Sequence, residues 1–258
     1  MASSYDAIPD FGLLYDSVPL YAARQDVAFY VEEVTAVRGR VLEVGCGTGR
    51  ILFPIARIGR AITGIDGSAQ MLERCRAKLA AEPAAVQSRV TLAQHDMRNF
   101  DLGATFGLII APFRVMQHLT TIDDQLRFLD VVARHLAPGG HFVFDVFNPY
   151  FAKLVEADGL EHEDTAERRL PDGRTFRRAY RIARVRWIDQ VSESELIYYV
   201  DGKRYVQGFE MRWYLAAELR NLLARAGFRV REIFGDFARG PLVDGCPELV
   251  ITAEFVSA

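Results

Sequence analysis

Short apolar runs alternate along this chain with stretches whose apolar positions recur every three or four residues. The runs cover residues 41–44, 60–65, 89–93, 106–111, 141–147, 227–234 and 248–256. Runs of this length, rich in Val, Ile, Leu and Phe, read as strands, mostly buried on both faces. Helical spacing appears between them at Ile51, Leu52, Ile55 and Ala56, and again at Met71, Leu72, Cys75 and Leu79. Ser68 stands where that second helix needs an N-cap. A third helix starts at Asp123 or Asp124, runs through Leu126, Phe128, Leu129, Val132 and Leu136, and closes at Ala137-Pro138-Gly139-Gly140. Residues 215–226 give a fourth. Strand and helix in alternation predict an α/β fold with helices on both faces of a mostly parallel sheet.

Two segments depart from the alternation. Ahead of the first strand stand Tyr5, Phe11, Leu14, Tyr15, Val18 and Tyr21, then a helical pattern at Val27, Phe29, Tyr30, Val31 and Val34. They predict an aromatic cap of one or two helices over residues 1–36. Tyr15, Tyr21 and Arg24 each carry a polar tip that a purely packed cap does not need. The second segment, residues 150–214, turns to Tyr, Val, Ile, Trp and Thr. Residues 174–188, 193–200 and 204–214 read as three antiparallel strands, with Asp201-Gly202 as a hairpin turn. The α/β domain is then residues 37–149 and 215–258, with 150–214 as a β-rich insert.

Composition narrows the class. Half of the 258 residues are hydrophobic, a quarter are charged and the net charge is −3, as in an ordinary soluble globular protein. Nothing in that balance calls for nucleic acid or an acidic membrane. Cys46, Cys75 and Cys246 are odd in number and scattered, which fits neither a disulfide framework nor a metal site and suits a reducing compartment. No apolar run reaches membrane length and residues 1–10 do not resemble a secretion signal, so a cytoplasmic location is expected. Against the overall acidity, residues 168–188 hold eight arginines and one acid, Asp172. They fit either a surface for a substrate carboxylate or phosphate, or solvated strand faces paired with Glu193, Glu195 and Asp201.

The chemistry concentrates at Glu43-Val44-Gly45-Cys46-Gly47-Thr48-Gly49-Arg50, where the first strand breaks into a turn before a helix. Glycines at every second position let the backbone approach a ligand closely. A dinucleotide fingerprint would read G-x-G-x-x-G, whereas Arg50 stands at its third glycine. Glu43 at the strand end would repel a pyrophosphate and suits a ligand with positive charge. Asp66, about twenty residues on at the tip of the second strand, can accept both hydroxyls of a ribose, which fits either kind of nucleoside ligand.

In these residues the stretch resembles motif I of the class I S-adenosylmethionine-dependent methyltransferases, [DE]-x-G-x-G-x-G. The resemblance runs from about residue 35 to the end, the insert excepted, and includes Asp96-Met97 after strand three, the Leu136-Ala137-Pro138-Gly139-Gly140 turn and Ala226-Gly227-Phe228. It implies a Rossmann-like doubly wound seven-stranded sheet, order 3-2-1-4-5-7-6 with strand seven antiparallel. S-adenosylmethionine would lie across the carboxyl ends of strands one, two and four. The residues it implies around the cofactor are Tyr15, Tyr21, Arg24, Glu43, Gly45, Cys46, Gly47, Gly49, Asp66, Gly67, Met71, Asp96, Met97, Ala111 and Phe113. Tyr15-Asp16 resembles the N-terminal Tyr-Asp segment with which many small-molecule members cover the cofactor.

After strand four, Ala111-Pro112-Phe113 lacks the first polar residue and second proline of the [DNS]-P-P-[FYW] motif of nucleic-acid amine methylators. No nucleic-acid partner is expected. His118, near the next helix start, is the candidate base or orienter, its near-neutral titration suiting proton transfer. Arg114 and Arg239 are candidates for an anionic substrate group. The reaction implied is transfer of the sulfonium methyl to an N or O nucleophile on a small molecule. Cap and insert are similar to those of bacterial enzymes that N-methylate nucleotide-linked amino sugars, though Arg114-Val115 stands where those have small hydroxyl residues. An NAD-dependent oxidoreductase and an inactive methyltransferase-like binding subunit are the alternatives. The edges of the insert suit either a substrate lid or a homodimer surface, and no metal or membrane partner is expected.

Overall fold

The computed structural model describes residues 8–256. Tyr5 of the expected cap lies outside them. A mixed seven-stranded sheet forms the centre: β1 (Val41–Val44), β2 (Ile62–Asp66), β3 (Val90–Gln94), β4 (Phe106–Ala111), β5 (Leu136–Phe147), β10 (Phe228–Phe234) and β11 (Glu248–Phe255). Its order is β10-β11-β5-β4-β1-β2-β3. β11 runs antiparallel to both its neighbours, and the other pairs are parallel. This is the expected order, with β11 as strand seven and β10 as strand six.

Each face of the sheet buries its own apolar layer, which is why the central strands read as unbroken apolar runs. On one face α7 (Ile122–His135) and α9 (Ala216–Arg225) set Phe128, Leu129, Val132, Leu219 and Leu223 against Leu42, Val44, Phe142 and Phe144. The other face takes α3 (Asp26–Ala36), α4 (Leu52–Arg57) and α5 (Ala69–Ala80), through Phe29, Tyr30, Leu52, Ile55 and Leu72. Burying one such side chain is worth about 1.5–3 kcal/mol. Thr121 caps α7 by accepting from the Asp124 N–H at 3.2 Å, with Asp123 and Asp124 in the first turn and Arg134 in the last. Each of these choices favours the helix dipole.

Cap and insert differ from expectation in their counts. The cap is three helices: α1 (Phe11–Asp16), α2 (Pro19–Ala22) and α3. Pro19 at the start of α2 divides what the aromatic spacing had run together. The insert is a four-stranded antiparallel sheet, β6 (His162–Arg169), β7 (Thr175–Arg186), β8 (Val191–Val200) and β9 (Lys203–Arg212), reached through α8 (Phe151–Val155). β6, with sequence HEDTAERR, lacks alternation because it is a charged edge strand, a common guard against edge pairing. α1 packs on this second sheet, where Phe11, Leu14 and Val18 meet Phe176, Tyr198 and Val200 in a third apolar cluster. Cap and insert together roof the carboxyl ends of β1, β2 and β4.

Most of the arginine-rich stretch pairs across strands. Arg181 meets Glu195 at 2.6 Å, Arg186 meets Glu193 at 2.5 Å and Glu210 at 2.7 Å, and Arg177 meets Glu163 at 3.8 Å. Asp201 instead accepts from Thr175. Solvated pairs of this kind are screened by water and add little to stability. Arg178 is the exception, buried at 2% exposure with its guanidinium on Asp164 at 2.9 Å and on the Tyr21 hydroxyl.

Candidate active site

β1 stops because Gly45 turns to φ +71°, and a Cβ there would stand 2.5 Å from Val115 Cγ2. The Gly45 and Cys46 N–H groups then donate to the Ile65 carbonyl at 2.8 and 3.0 Å, tying the turn to β2. Asp66 clasps the same turn: Oδ2 accepts from Gly47 N–H and Oδ1 from Ser68 N–H, both at 2.8 Å. Ser68 in turn caps α5 by accepting from Met71 N–H. A cavity of about 1160 Å³ opens over this turn. Its inner part is bordered by Glu43, Gly45, Cys46, Gly47, Asp66, Gly67, Met71, Asp96 and Met97, eight of them from ends of β1 to β3.

Glu43 is buried at 2% exposure, and its Oε2 has no hydrogen-bond partner among the described residues. Burial pushes its carboxyl well above the usual range, nearby Cys75 adding to the rise and Arg50 opposing it. A buried carboxyl with one oxygen unpartnered is a site for a positive ligand group. Asp96 instead pairs with Arg98, Nε to Oδ1 at 2.9 Å, which holds its carboxyl below the usual range.

The cap closes over the cavity by aromatic and polar contacts. The Tyr15 and Tyr21 rings lie 4.6 Å apart, and Tyr21 meets Phe113 edge-on at 5.1 Å. Asp16, beside Tyr15, accepts from Thr48 Oγ1 at 2.6 Å and from Arg74 at 2.9 Å, fastening the cap to the glycine turn. Arg24 borders the cavity, but its guanidinium serves three carboxylates: Asp145 at 2.7 Å, Glu248 at 2.8 Å and Asp26 at 2.9 Å. Asp26 also takes both arms of Arg50.

Beyond β4 the chain makes an unusual turn. Phe113 and Arg114, neither of them glycine, hold φ +59° and +68° before the 3-10 turn Val115–His118. Asp145 fixes them: its Oδ1 accepts from the Phe113 N–H at 2.8 Å and from the Tyr30 hydroxyl at 2.7 Å. Gln117, fully buried, donates to the Arg212 carbonyl and accepts from the Phe147 N–H, joining the turn to β9 and β5. His118 borders the cavity 6.3 Å from the Phe209 ring. Burial lowers its imidazole to about 4, opposed only by a hydrogen bond with the Glu210 backbone. It is therefore neutral near pH 7. A bond that favours the protonated ring has the imidazole donating to the carbonyl, which leaves the other ring nitrogen an acceptor.

Three of the expected residues lie off the cavity wall. Arg239 turns away to Glu33 at 2.6 Å and stacks on Phe29 and Phe234, because its loop folds back on α3. Gly49 faces Phe53 and Cys75, where a Cβ would stand 2.4 Å from Phe53 Cε2, so it serves helix packing. Ala111 is fully buried within β4. Arg114 borders the cavity and reaches Glu248 at 3.3 Å. The sequence reading passed over Asp145 and Gln207, and met Arg178 only as one of the eight arginines of residues 168–188. Asp145 left a signal too, as a charge inside the apolar run of β5.

Comparison with known proteins adds a family. Residues 41–140 match the family described as "Methyltransferase domain". The chain is 33% identical over 159 residues to a dTDP-3-amino-3,4,6-trideoxy-alpha-D-glucopyranose N,N-dimethyltransferase of Streptomyces venezuelae, a match spanning 61% of each protein. The CcbJ methyltransferase of Streptomyces caelestis superposes with a TM-score of 0.79 at 25% identity, covering 99% of both chains. SAM-bound CalS10, an amino pentose methyltransferase from Micromonospora echinaspora, gives 0.67 at 26% identity, covering 93% of this chain and 96% of its own.

Proposed function

We propose that this chain, which belongs to the class I S-adenosylmethionine-dependent methyltransferases, methylates an amine on a small polar molecule. The observation that carries the reading is the cavity itself. At about 1160 Å³ it exceeds the roughly 300–1,000 Å³ that one small ligand occupies, and it has two chemically distinct halves. The inner half, with the glycine turn, Asp66 and the unpartnered Glu43 oxygen, suits a cationic nucleoside. The outer half, walled by the insert, is left for an acceptor. The amino-sugar acceptors named for the relatives support an amine over an alcohol.

S-adenosylmethionine, when bound, supplies a methyl group already activated by its sulfonium for in-line displacement. The chain's own residues position and enclose. We assign Glu43 to the ligand's positive charge, Asp66 to the ribose hydroxyls, and Asp96 with Met97 to the adenine. Tyr15, Tyr21 and Phe113 exclude water from the reacting centre. His118, neutral because its imidazole is depressed to about 4, cannot deprotonate an ammonium. It would instead accept a hydrogen bond from a neutral amine and aim the nitrogen lone pair, a contribution of orientation. Methyl-group acceptance and proton loss to solvent then complete the reaction. We place this work in the cytoplasm, where the three buried cysteines stay thiols, and assign the outer edge of the insert to pairing with a second copy, which sedimentation would report.

The test is a turnover screen on purified protein and S-adenosylmethionine, following release of S-adenosylhomocysteine. The panel holds aliphatic amines, nucleotide-linked amino sugars, carboxylic acids and phenols. Turnover of amines alone is expected. Turnover of phenols or acids in their place would overturn the acceptor class, and tight NADH binding without S-adenosylhomocysteine binding would overturn the cofactor.

A further inference from the structure

Along β9, Gln207, Phe209 and Met211 share one face and line the cavity, with Tyr205 half-buried on the same face, while Arg204 and Val206 of the opposite face are exposed. Register places Gln207 opposite Leu196 on β8, and Leu196 opposite Tyr180 on β7. That row, Tyr180–Leu196–Gln207, forms part of the outer wall of the cavity.

Gln207 is the unusual member. It is 1% exposed, and neither its Nε2 nor its Oε1 has a hydrogen-bond partner among the described residues. A carboxamide offers two donors and two acceptor lone pairs, and burying them unpartnered is destabilising. The charged groups of the same wall are already committed: Arg178 to Asp164 and Tyr21, Glu210 to Arg186, and Lys153 over the Tyr180 ring at 4.3 Å. The neighbours of Gln207 on its own face, Leu196 and Phe209, are apolar. A wall of this kind has apolar contact for a ring and, beside the Tyr180 hydroxyl, a buried carboxamide with no hydrogen-bond partner among the described residues.

We infer that Gln207 reads the methyl acceptor, pairing through its carboxamide with a neutral group that both donates and accepts a hydrogen bond. A hydroxyl has that chemistry. An ion does not fit, because a neutral amide does little to offset the loss of an ion's hydration. Spacing adds the second element. Phe209, the residue next to His118, lies two positions from Gln207 on one face, roughly 6–7 Å along the strand. Phe209 stands between His118 and Gln207 on one stretch of cavity wall, which suits an amine and a hydroxyl carried on the same alicyclic ring. The acceptor class is an alicyclic amino alcohol, such as an amino sugar or an aminocyclitol. This inference rests on the proposed methyl transfer to an amine.

The experiment compares two amines, methyl 3-amino-3-deoxy-α-D-glucopyranoside and cyclohexylamine, with wild-type protein and Gln207→Leu, by S-adenosylhomocysteine release. Wild type should prefer the hydroxylated amine by at least about tenfold in kcat/KM, as one good buried hydrogen bond provides. Gln207→Leu should bring the two amines within about threefold, leave S-adenosylhomocysteine affinity unchanged, and melt at the same temperature or higher. A variant that keeps the wild-type preference overturns the inference, as does wild type that treats the amines alike or accepts neither. Gln207→Met serves as a second apolar replacement should the leucine variant fail to fold. S-adenosylhomocysteine titration of wild type tells the failures apart, since only loss of that binding removes the methyltransferase reading.

Discussion

Asp145 is the residue whose replacement tests the architecture of the site most directly. It is fully buried, pairs with Arg24 through Oδ2 at 2.7 Å, and holds the Phe113–Arg114 turn through Oδ1. Asp145→Asn keeps one acceptor oxygen for the Phe113 N–H and the Tyr30 hydroxyl but sets an NH₂ against the Arg24 guanidinium. Breaking a buried ion pair costs about 3–5 kcal/mol. Arg24 retains Asp26 and Glu248, so the low end, about 3 kcal/mol, applies. For a chain of this size that lowers Tm by about 6–12 °C. Asp145→Ala also frees a turn whose two left-handed residues each cost about 1–3 kcal/mol to hold, and the turn should relax. Phe113 then leaves Tyr15 and Tyr21. We expect the asparagine variant to keep near-normal turnover below its melting point, and the alanine variant to lose on the order of tenfold to a hundredfold. S-adenosylhomocysteine release at a temperature where circular dichroism shows both variants folded is the assay. Equal turnover of the two would refute the claim that Asp145 positions the turn.

Other perturbations follow from the same geometry. Glu43→Gln should raise the stability of the ligand-free protein at pH 7 yet weaken S-adenosylmethionine binding by on the order of tenfold. The folded carboxyl sits well above 4.5, so the unfolded chain ionises first and wild type loses stability as pH rises past 4.5. Melting curves at pH 4.5 and 7 with calorimetric binding check both halves. His118 titrates at about 4 folded against 6.5 unfolded, so the unfolded chain binds its proton first as pH falls. Stability should drop by about 1–3 kcal/mol between pH 6.5 and 4, discounted because the ring borders the open cavity, and His118→Asn should flatten that slope in urea titrations. The same variant should lower kcat while leaving S-adenosylhomocysteine affinity unchanged. Asp16→Ala cuts the Thr48 and Arg74 contacts; cofactor affinity should fall, with a stability loss of about 1–2 kcal/mol by thermal denaturation.

The fold was legible where burial is complete and connections are local. β1, β4 and β5 from His141 onward are covered on both faces, so they spell Val-Leu-Glu-Val, Phe-Gly-Leu-Ile-Ile-Ala and His-Phe-Val-Phe-Asp-Val-Phe with few polar interruptions. β6 escaped for the opposite reason. An edge strand with one side to solvent needs charge more than it needs alternation, and only Thr165 along it is buried. The short cap helices owe their existence to the insert beneath them, since a helix of six residues does not hold itself in water. The aromatic spacing announced the cap, but the contacts that hold each short helix, with partners more than 150 residues away, have no local signature.

The site divides in the same way. Its cofactor half was readable because glycines and acids at strand tips carry their meaning within a few residues: Gly45, Gly47 and Asp66 meet across one pair of parallel strands. The acceptor half was not: Arg178 and Gln207 stand among other polar residues of β7 and β9 and Asp145 in an apolar run of β5, and in none of these strands do the neighbours name the partner. Asp145 shows what a stricter reading could recover. A carboxylate in the middle of a buried strand requires a cation, and the chain ahead of β1 offers only Arg24, Arg38 and Arg40. Arg24, set among aromatic residues with Asp26 two positions on, is the one of these three that belongs to the cap. That requirement ties the cap to the end of β5, which is where a lid over the carboxyl ends of the strands has to be fastened.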